Sequence, residues 1–426
     1  MCAGPRNDST EHQKTGSAVE DRKPIVVVGA GAAGLMAAIF AASGAAPVLL
    51  LERTAGVGRK ILISGGGRCN VLPSTLRPGQ YVTASSPNTL KKMLLSWPLG
   101  EQRRFFEETL GIRLALEPET GKLFPESNRA KDVRDGLVSR AREQGAEVCF
   151  GAMVRGIEPV SNGWLLCLDD GSEREAAAVI IATGGLSVAP TGSDGTGLRI
   201  LEKLGHRLND TYPALTPLTA DPPRHAPLAG ISLNVRLAAP GAAGAGARAS
   251  GGFLFTHRGY SGPSVLDISH LAVRSREGER QPILVRWTAL DEPEWEAAFR
   301  AGGSGTVAGV LRRHLPERLA DALIAESAVA PDRALSQLSR DERSRLIVAL
   351  TGYPLPWTGD EGYRKAEVTG GGVDLSEVDP RTLESRIHPG LFICGEALDA
   401  FGPIGGYNFA WAWATGRAAG MGAASS

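Results

Sequence analysis

The sequence predicts an α/β fold: a Rossmann-like dinucleotide-binding domain made from two separated stretches of chain, with a differently patterned insert between them. Three observations predict it. A β-branched run, Ile25 to Val28, leads into Gly-Ala-Gly-Ala-Ala-Gly (29–34) and then into helical composition. A second β-run, Pro47 to Leu51, closes on an acid, Glu52. Two further β-runs, far apart in the chain at 179–182 and 391–394, each stop at a glycine turn. Strand, helix and strand within about 30 residues is the size of one βαβ unit.

The elements follow in order. Residues 1–23 are polar with no apolar stretch, and read as a disordered tail. Pro24 to Leu51 carries no charge and is long enough to span a membrane. Its phosphate-loop glycine spacing argues for the βαβ unit instead. After a second glycine-rich stretch at 56–70, Leu90 to Leu110 reads as helix interrupted at Pro98, and Lys131 to Gln144 as helix ended by Gly145. Glu147 to Phe150 and Val154 to Ile157 read as strands. Asn162-Gly163 then turns a hairpin into Trp164 to Leu168. Val179 to Ala182 ends at Thr183-Gly184-Gly185, and residues 24–197 form the first segment of the nucleotide domain.

Residues 198–364 form the insert, β-rich over 212–290 and helical over 291–350. Within it, 239–252 (APGAAGAGARASGG) reads as a flexible loop by composition. Residues 365–426 return to the first pattern, with a buried strand at Leu391 to Cys394 and a helix at Tyr407 to Ala419.

Composition narrows the function. Lys+Arg and Asp+Glu both number 46, so the chain lacks the basic excess of a nucleic-acid binder, and no nucleic-acid partner is expected. The five cysteines include no CxxC. That excludes a redox dithiol of the motif type and fits a reducing, cytoplasmic setting. The seven histidines show no ligand spacing, so no metal is expected.

The glycines carry the chemistry. Gly29 permits the tight turn, Gly31 lets backbone approach a pyrophosphate, and Gly34 lets helix pack on strand, with Ala32 and Ala33 in the same turn. The helix N-terminus offers free N–H groups and its positive dipole end to phosphates. Glu52 stands close to the spacing of about 20 residues at which an acid binds the ribose hydroxyls. An acid there favours an unphosphorylated ribose, hence FAD or NAD.

Three further features resemble the glutathione-reductase-like class of FAD proteins and favour FAD. Arg53 is followed by Gly56, Gly58, Arg59 and Lys60. Ile180 to Gly185 resembles an "ATG" strand end, with Thr183 and Gly184. Ile393-Cys394-Gly395-Glu396 resembles a terminal "GD" motif with Glu in place of Asp, an acid that in that class binds the ribityl chain.

The resemblance then becomes specific. GRKILISGGGRCN (58–70), KLFPESNRAKDV (122–133), GGFLFTHRGYSGPSVLDIS (251–269), KAEVTGGGVDLSEVDPRTLESR (365–386) and GGYNFAWAWATGRAAG (405–420) are similar to the BaiN/YhiN-like flavoprotein family, over nearly the whole chain from Pro24. The resemblance implies an FAD domain split by a β-barrel-like insert with a small helical part. It also implies an NAD(P)/FAD-dependent oxidoreductase, in a family of which at least one member is associated with reducing carbon–carbon double bonds of steroid-like substrates. Lys60, Ser64, Gly66, Arg68 and Asn70 would wrap the flavin, and the Val154 backbone would lie near adenine. Gly405, Gly406, Asn408 and Phe409 would aim a helix N-terminus at the flavin pyrimidine edge.

Several residues have a plainer reading beside a functional one. Cys69 is either a redox thiol or a small apolar filler. His257 and Tyr260 either approach the active site or serve structure. Trp411 and Trp413 face different ways on one helix and read as core. The expected chemistry is hydride transfer through flavin N5 to an unsaturated small molecule. NAD(P)H would be a transient co-substrate, since no second GxGxxG opens a βαβ unit. The alternatives are an oxidase or dehydrogenase that uses oxygen, and an RNA-associated flavoprotein.

Overall fold

The computed structural model describes residues 22–241, 247–275, 279–301 and 305–426. The tail expected over 1–23 lies outside them, apart from its last two residues. At the centre is a five-stranded parallel sheet. Its order is Leu391–Ile393, Ala178–Ile181, β1 (Ile25–Val28), β2 (Val48–Glu52) and Ala146–Phe150. Every residue of β1 and of Ala178–Ile181 is buried, as expected where helices cover both faces of a parallel sheet. Val28 registers with Ile181 on one side and Leu51 on the other. The carboxyl ends of these strands therefore open on a common edge, where ligands bind in sheets of this type. The uncharged stretch 24–51 is accordingly broken into β1, helix α1 (Ala32–Ala41) and β2. Among the described residues no helix is long and apolar enough to cross a membrane.

The C-terminal helix, Tyr407–Ser425, lies along α1. Small residues allow the approach. A Cβ at Gly416 would fall 2.4 Å from the Ala33 carbonyl oxygen, and one at Gly420 would fall 2.4 Å from that of Ala37. Neither contact is to a flexible side chain, so the helix axes must part to admit a larger residue. Gly420→Val is expected to cost about 1–3 kcal/mol, the range for overpacking, read as a lowered urea midpoint. Met421→Ala, on the neighbouring half-exposed position, should leave the midpoint nearly unchanged.

The chain between 218 and 357 builds a second core around Phe253, Phe255, Tyr260, Trp287 and Trp295. Seven strands form one sheet whose two edges are Tyr353–Pro354 and Gly359–Asp360. A flat sheet would hold those edges about 29 Å apart, at about 4.8 Å per strand. The chain from Pro354 to Gly359 reaches only about 17 Å. The sheet must therefore curl on itself, which is the barrel-like geometry. Helices Glu292–Ala301, Val307–Leu311, Glu317–Glu326 and Arg340–Thr351 pack beside it.

The loop expected over 239–252 is a correction. Residues 247–252 belong to strand Ala247–Phe255, paired antiparallel with Ser232–Ala239 from Ala239↔Ala247 onward. Two of its glycines have a backbone reason to be there: Gly251 has φ +132°, and the Gly252 carbonyl is approached so closely by Gly262 that a Cβ on Gly262 would lie 2.6 Å from it. Residues 242–246, at the hairpin tip, lie outside the described residues. Strand Val368–Val373, paired with Leu208–Ala214, joins the two cores.

Candidate cofactor site

A cavity of about 530 Å³ opens at the carboxyl edge of the parallel sheet. One group of lining residues is Glu52, Arg53, Met153, Val154 and Asp194. A second is Gly29, Gly31, Ala32, Ala33, Thr183, Gly184, Gly395 and Glu396. A third comprises Asn70, Lys122, Glu367, Phe401, Ile404, Gly405 and Gly406. Gly58, Arg59, Lys60, Ser64, Gly66, Asn408 and Phe409 line it as well.

The glycine turn is set by sterics. Gly29 has φ +101°, and a Cβ there would lie 2.7 Å from the Ala182 carbonyl oxygen. A Cβ at Gly34 would lie 1.8 Å from the Gly29 carbonyl oxygen, so the turn rests directly on the helix. Gly34 thus shapes the turn from behind and does not line the cavity. Gly31 is the opposite case. It is the N-cap of α1, without a side-chain cap, and a Cβ there would meet nothing within 4 Å. The first-turn N–H groups of α1, which have no intrahelical acceptors, face this open space.

Glu52 is buried at the end of β2. Its carboxylate accepts from Ala30 N at 3.0 Å, from Thr54 N at 2.8 Å and from Thr54 Oγ1 at 2.7 Å. These bonds orient it beside the turn. Next to it Arg53 pairs with Asp194. Burial raises the Asp194 carboxyl, but hydrogen bonds from Arg53 and Thr196 outweigh burial and hold it at about 2, below its ordinary 3.8. A depressed native value stabilises the fold above the unfolded value and is lost as pH falls through the native one. Asp194→Asn should therefore lower stability at neutral pH, and the gap from the parent should close between about pH 4 and about pH 2. Denaturation at a series of pH values reads this directly.

The Thr183 hydroxyl is buried without a hydrogen-bond partner among the described residues, and Thr183 lines the cavity. That oxygen packs against Gly197, where a Cβ would meet it at 1.9 Å, so it is the uncapped helix N-terminus and the pinned acid in one cleft that fit a bound dinucleotide.

A polar cluster lies beyond. Lys60 Nζ donates to Glu396 Oε2 at 2.8 Å and to Ser187 Oγ at 2.6 Å. Glu396 Oε1 accepts from Ser187 Oγ at 2.9 Å and from Thr369 N at 3.0 Å. The acid of the terminal glycine motif is thus anchored by Lys60, a residue of the first glycine/basic stretch. The C-terminal helix begins at Gly406, whose φ of +93° suits glycine and where a Cβ would meet the Leu72 carbonyl carbon at 2.5 Å. With its amide oxygen toward Gly406 N at 3.1 Å and its nitrogen toward Leu72 O at 3.2 Å, Asn70 fixes this start. Asn408 pins the preceding loop, accepting from Gly402 N at 2.9 Å and donating to Gly402 O at 3.0 Å. Phe409 stacks on Trp413 at 5.2 Å.

Some predicted residues fall elsewhere. Arg68 turns away from the cavity, its guanidinium 3.9 Å from the Phe124 ring centroid and 3.2 Å from Glu117. An ion pair and a ring face hold the guanidinium there. Cys69 is buried and its thiol is pushed up to about 12 by burial, which makes it apolar filler. His257 is exposed and Tyr260 is buried in the second core, bonded to His225 at 2.9 Å. Neither lines the cavity. Trp413 is core, donating to Val71 O, while Trp411 donates to Gly395 O and also reaches the lining. Asp194, Lys122, Glu367 and Ile404 were not foreseen. Lys122 and Glu367 sit inside motifs that carried the resemblance, but nothing in their spacing marks them as chemical.

Fold and site together define a Rossmann-type FAD-dependent oxidoreductase. Residues 23–422 match the family described as HI0933-like protein Rossmann domain, and the chain belongs to that family. It is 34% identical to a ribosomal RNA dihydrouridine synthase of Escherichia coli (strain K12), over 93% of this chain and 96% of that one. It is 33% identical to a 3-dehydro-bile acid delta(4,6)-reductase of Clostridium scindens, over 94% and 98%. Among solved structures it is similar to the open conformation of a flavocytochrome c3 fumarate reductase, with TM-score 0.50, 17% identity and coverage of 96% and 79%. It is also similar to a 3-ketosteroid delta1-dehydrogenase from Sterolibacterium denitrificans, with TM-score 0.51, 12% identity and coverage of 94% and 99%. At these identities the two structures speak for the fold alone.

Proposed function

We propose that this protein reduces a carbon–carbon double bond conjugated to a carbonyl, with NAD(P)H as the transient source of electrons. The observation that carries the reading is one continuous cavity that joins the dinucleotide turn at Gly31 to a second uncapped helix N-terminus at Gly406. Bound FAD supplies a hydride relay between two molecules that need not meet. The chain's residues supply position and charge. Glu52 takes the adenosine ribose, the Val154 backbone lies by adenine, the N–H groups after Gly31 take the pyrophosphate, and Lys60 with Glu396 orients the ribityl chain. The helix end at Gly406 would face the flavin pyrimidine edge and offer its positive dipole to negative charge there.

The names of the relatives support the acceptor class. A dihydrouridine synthase saturates the uracil ring bond next to a carbonyl, and the other reductase acts on ring double bonds of a 3-oxo substrate. The two substrates differ in size but share the polarised bond.

The test follows the flavin absorbance without oxygen. NADH or NADPH should bleach it, and a 3-oxo-4-ene steroid or in-vitro transcribed ribosomal RNA should restore it. Restoration by the RNA alone would make nucleic acid the partner. Restoration by oxygen alone would make the protein an oxidase and overturn the reading.

A further inference from the structure

Four carboxylates line the cavity, and three of them are held. Glu52 is bonded to Ala30 and Thr54, Asp194 to Arg53, and Glu396 to Lys60, Ser187 and Thr369. The Glu367 carboxylate has no hydrogen bond or ion pair among the described residues. Its main chain, by contrast, is fixed on both sides: Glu367 N donates to Leu215 O at 3.2 Å, and Glu367 O accepts from Ser187 Oγ at 3.2 Å. Strand Val368–Val373, fully buried, begins at the next residue. The Glu367 side chain is exposed, but it opens into the cavity, whose walls surround it. A rigidly mounted acid with no internal partner, facing a ligand cavity, is placed to act on what enters.

We propose that Glu367 is the proton donor of the reduction. The proposal rests on the reading of the site as a reductase of conjugated double bonds. The balance is simple. The β-carbon of the double bond receives a hydride, which carries both electrons, and the carbonyl oxygen takes up the resulting negative charge. The α-carbon then takes a proton from the Glu367 carboxyl, and solvent reprotonates the carboxylate. NAD(P)H is oxidised and the double bond is reduced.

A donor must be neutral at working pH. Although the residue is open to the cavity, the cavity walls around its carboxyl desolvate it and push it up, while Lys122 and Lys60 pull it down. Asp267 faces the same group, and its own carboxyl is pushed up to about 7 by burial. Turnover should therefore fall as pH rises through the raised value, because the protonated form is lost.

The test uses the FAD-loaded protein, reduced with dithionite and mixed without oxygen with a 3-oxo-4-ene steroid or in-vitro transcribed ribosomal RNA. Glu367→Gln should still bind FAD, and its reoxidation should be at least about 100-fold slower, the low end for loss of a general acid. It should also lose the alkaline limb of the pH profile. Glu367→Asp should recover part of the rate. Before FAD is added, the infrared spectrum of the parent should show a protonated carboxyl band that Glu367→Gln lacks. Parent-like reoxidation of Glu367→Gln, or the absence of that band, would overturn the assignment of Glu367 alone. If neither acceptor reoxidises the parent, the reductase reading itself fails and the proposal falls with it.

Discussion

Gly31→Val is expected to give a folded protein that does not hold FAD. The backbone at Gly31, with φ −80° and ψ −167°, is open to any residue, and a Cβ there meets no protein atom within 4 Å. The fold therefore has no reason to object. The side chain instead enters the space in front of the first-turn N–H groups of α1, where the pyrophosphate must come close. FAD affinity should fall by at least about 100-fold, or about 3 kcal/mol at 1.4 kcal/mol per tenfold. The thermal midpoint of the FAD-free protein should match that of the FAD-free parent. Gly34→Val is the control with the opposite signature, since its side chain collides with the Gly29 carbonyl and should damage the fold itself. Titration with FAD and melting of the apoproteins separate the two.

Glu52→Ala should damage stability and cofactor binding together. The buried Ala30 N–H and the part-buried Thr54 N–H would lose their acceptor, while the Thr54 hydroxyl would keep the Gly56 carbonyl at 2.9 Å. Leaving buried donors unpaired costs about 1–3 kcal/mol for each fully buried group, so a loss of about 3 kcal/mol in urea denaturation is expected. The turn that Ala30 belongs to would also lose its tether to β2, so FAD affinity should fall even before the ribose contact is counted. Glu52→Gln keeps one acceptor oxygen and should lose less on both measures. Equal losses for Ala and Gln would mean that the charge, and not the acceptor geometry, matters at this position.

The sequence made the cofactor end of the site legible because backbone sterics leave a mark there. Gly29 and Gly34 each answer to a separate steric demand of the turn, Gly31 leaves open space before the helix, and the acid closing β2 has a fixed place relative to them. The parallel sheet was legible for the same kind of reason, since strands buried on both faces must be apolar throughout. The end of the cavity around Glu367 and Gly406 was less legible. Glu367 is one glutamate among 46 acidic residues, and only folding reveals that it lacks a partner among the described residues while its three cavity neighbours have theirs. Arg68 misled because it stands amid cavity residues in sequence, yet Phe124 and Glu117 compete for it in space. The run at 239–252 misled because small residues satisfy both a loop and a strand that Gly262 approaches closely.

The most direct measurement is the visible spectrum of the purified protein, followed by titration of the stripped protein with FAD. The account predicts a yellow protein that regains one FAD per chain and whose Gly31→Val form stays colourless while remaining folded. A parent protein that is colourless and takes up no added FAD would contradict it.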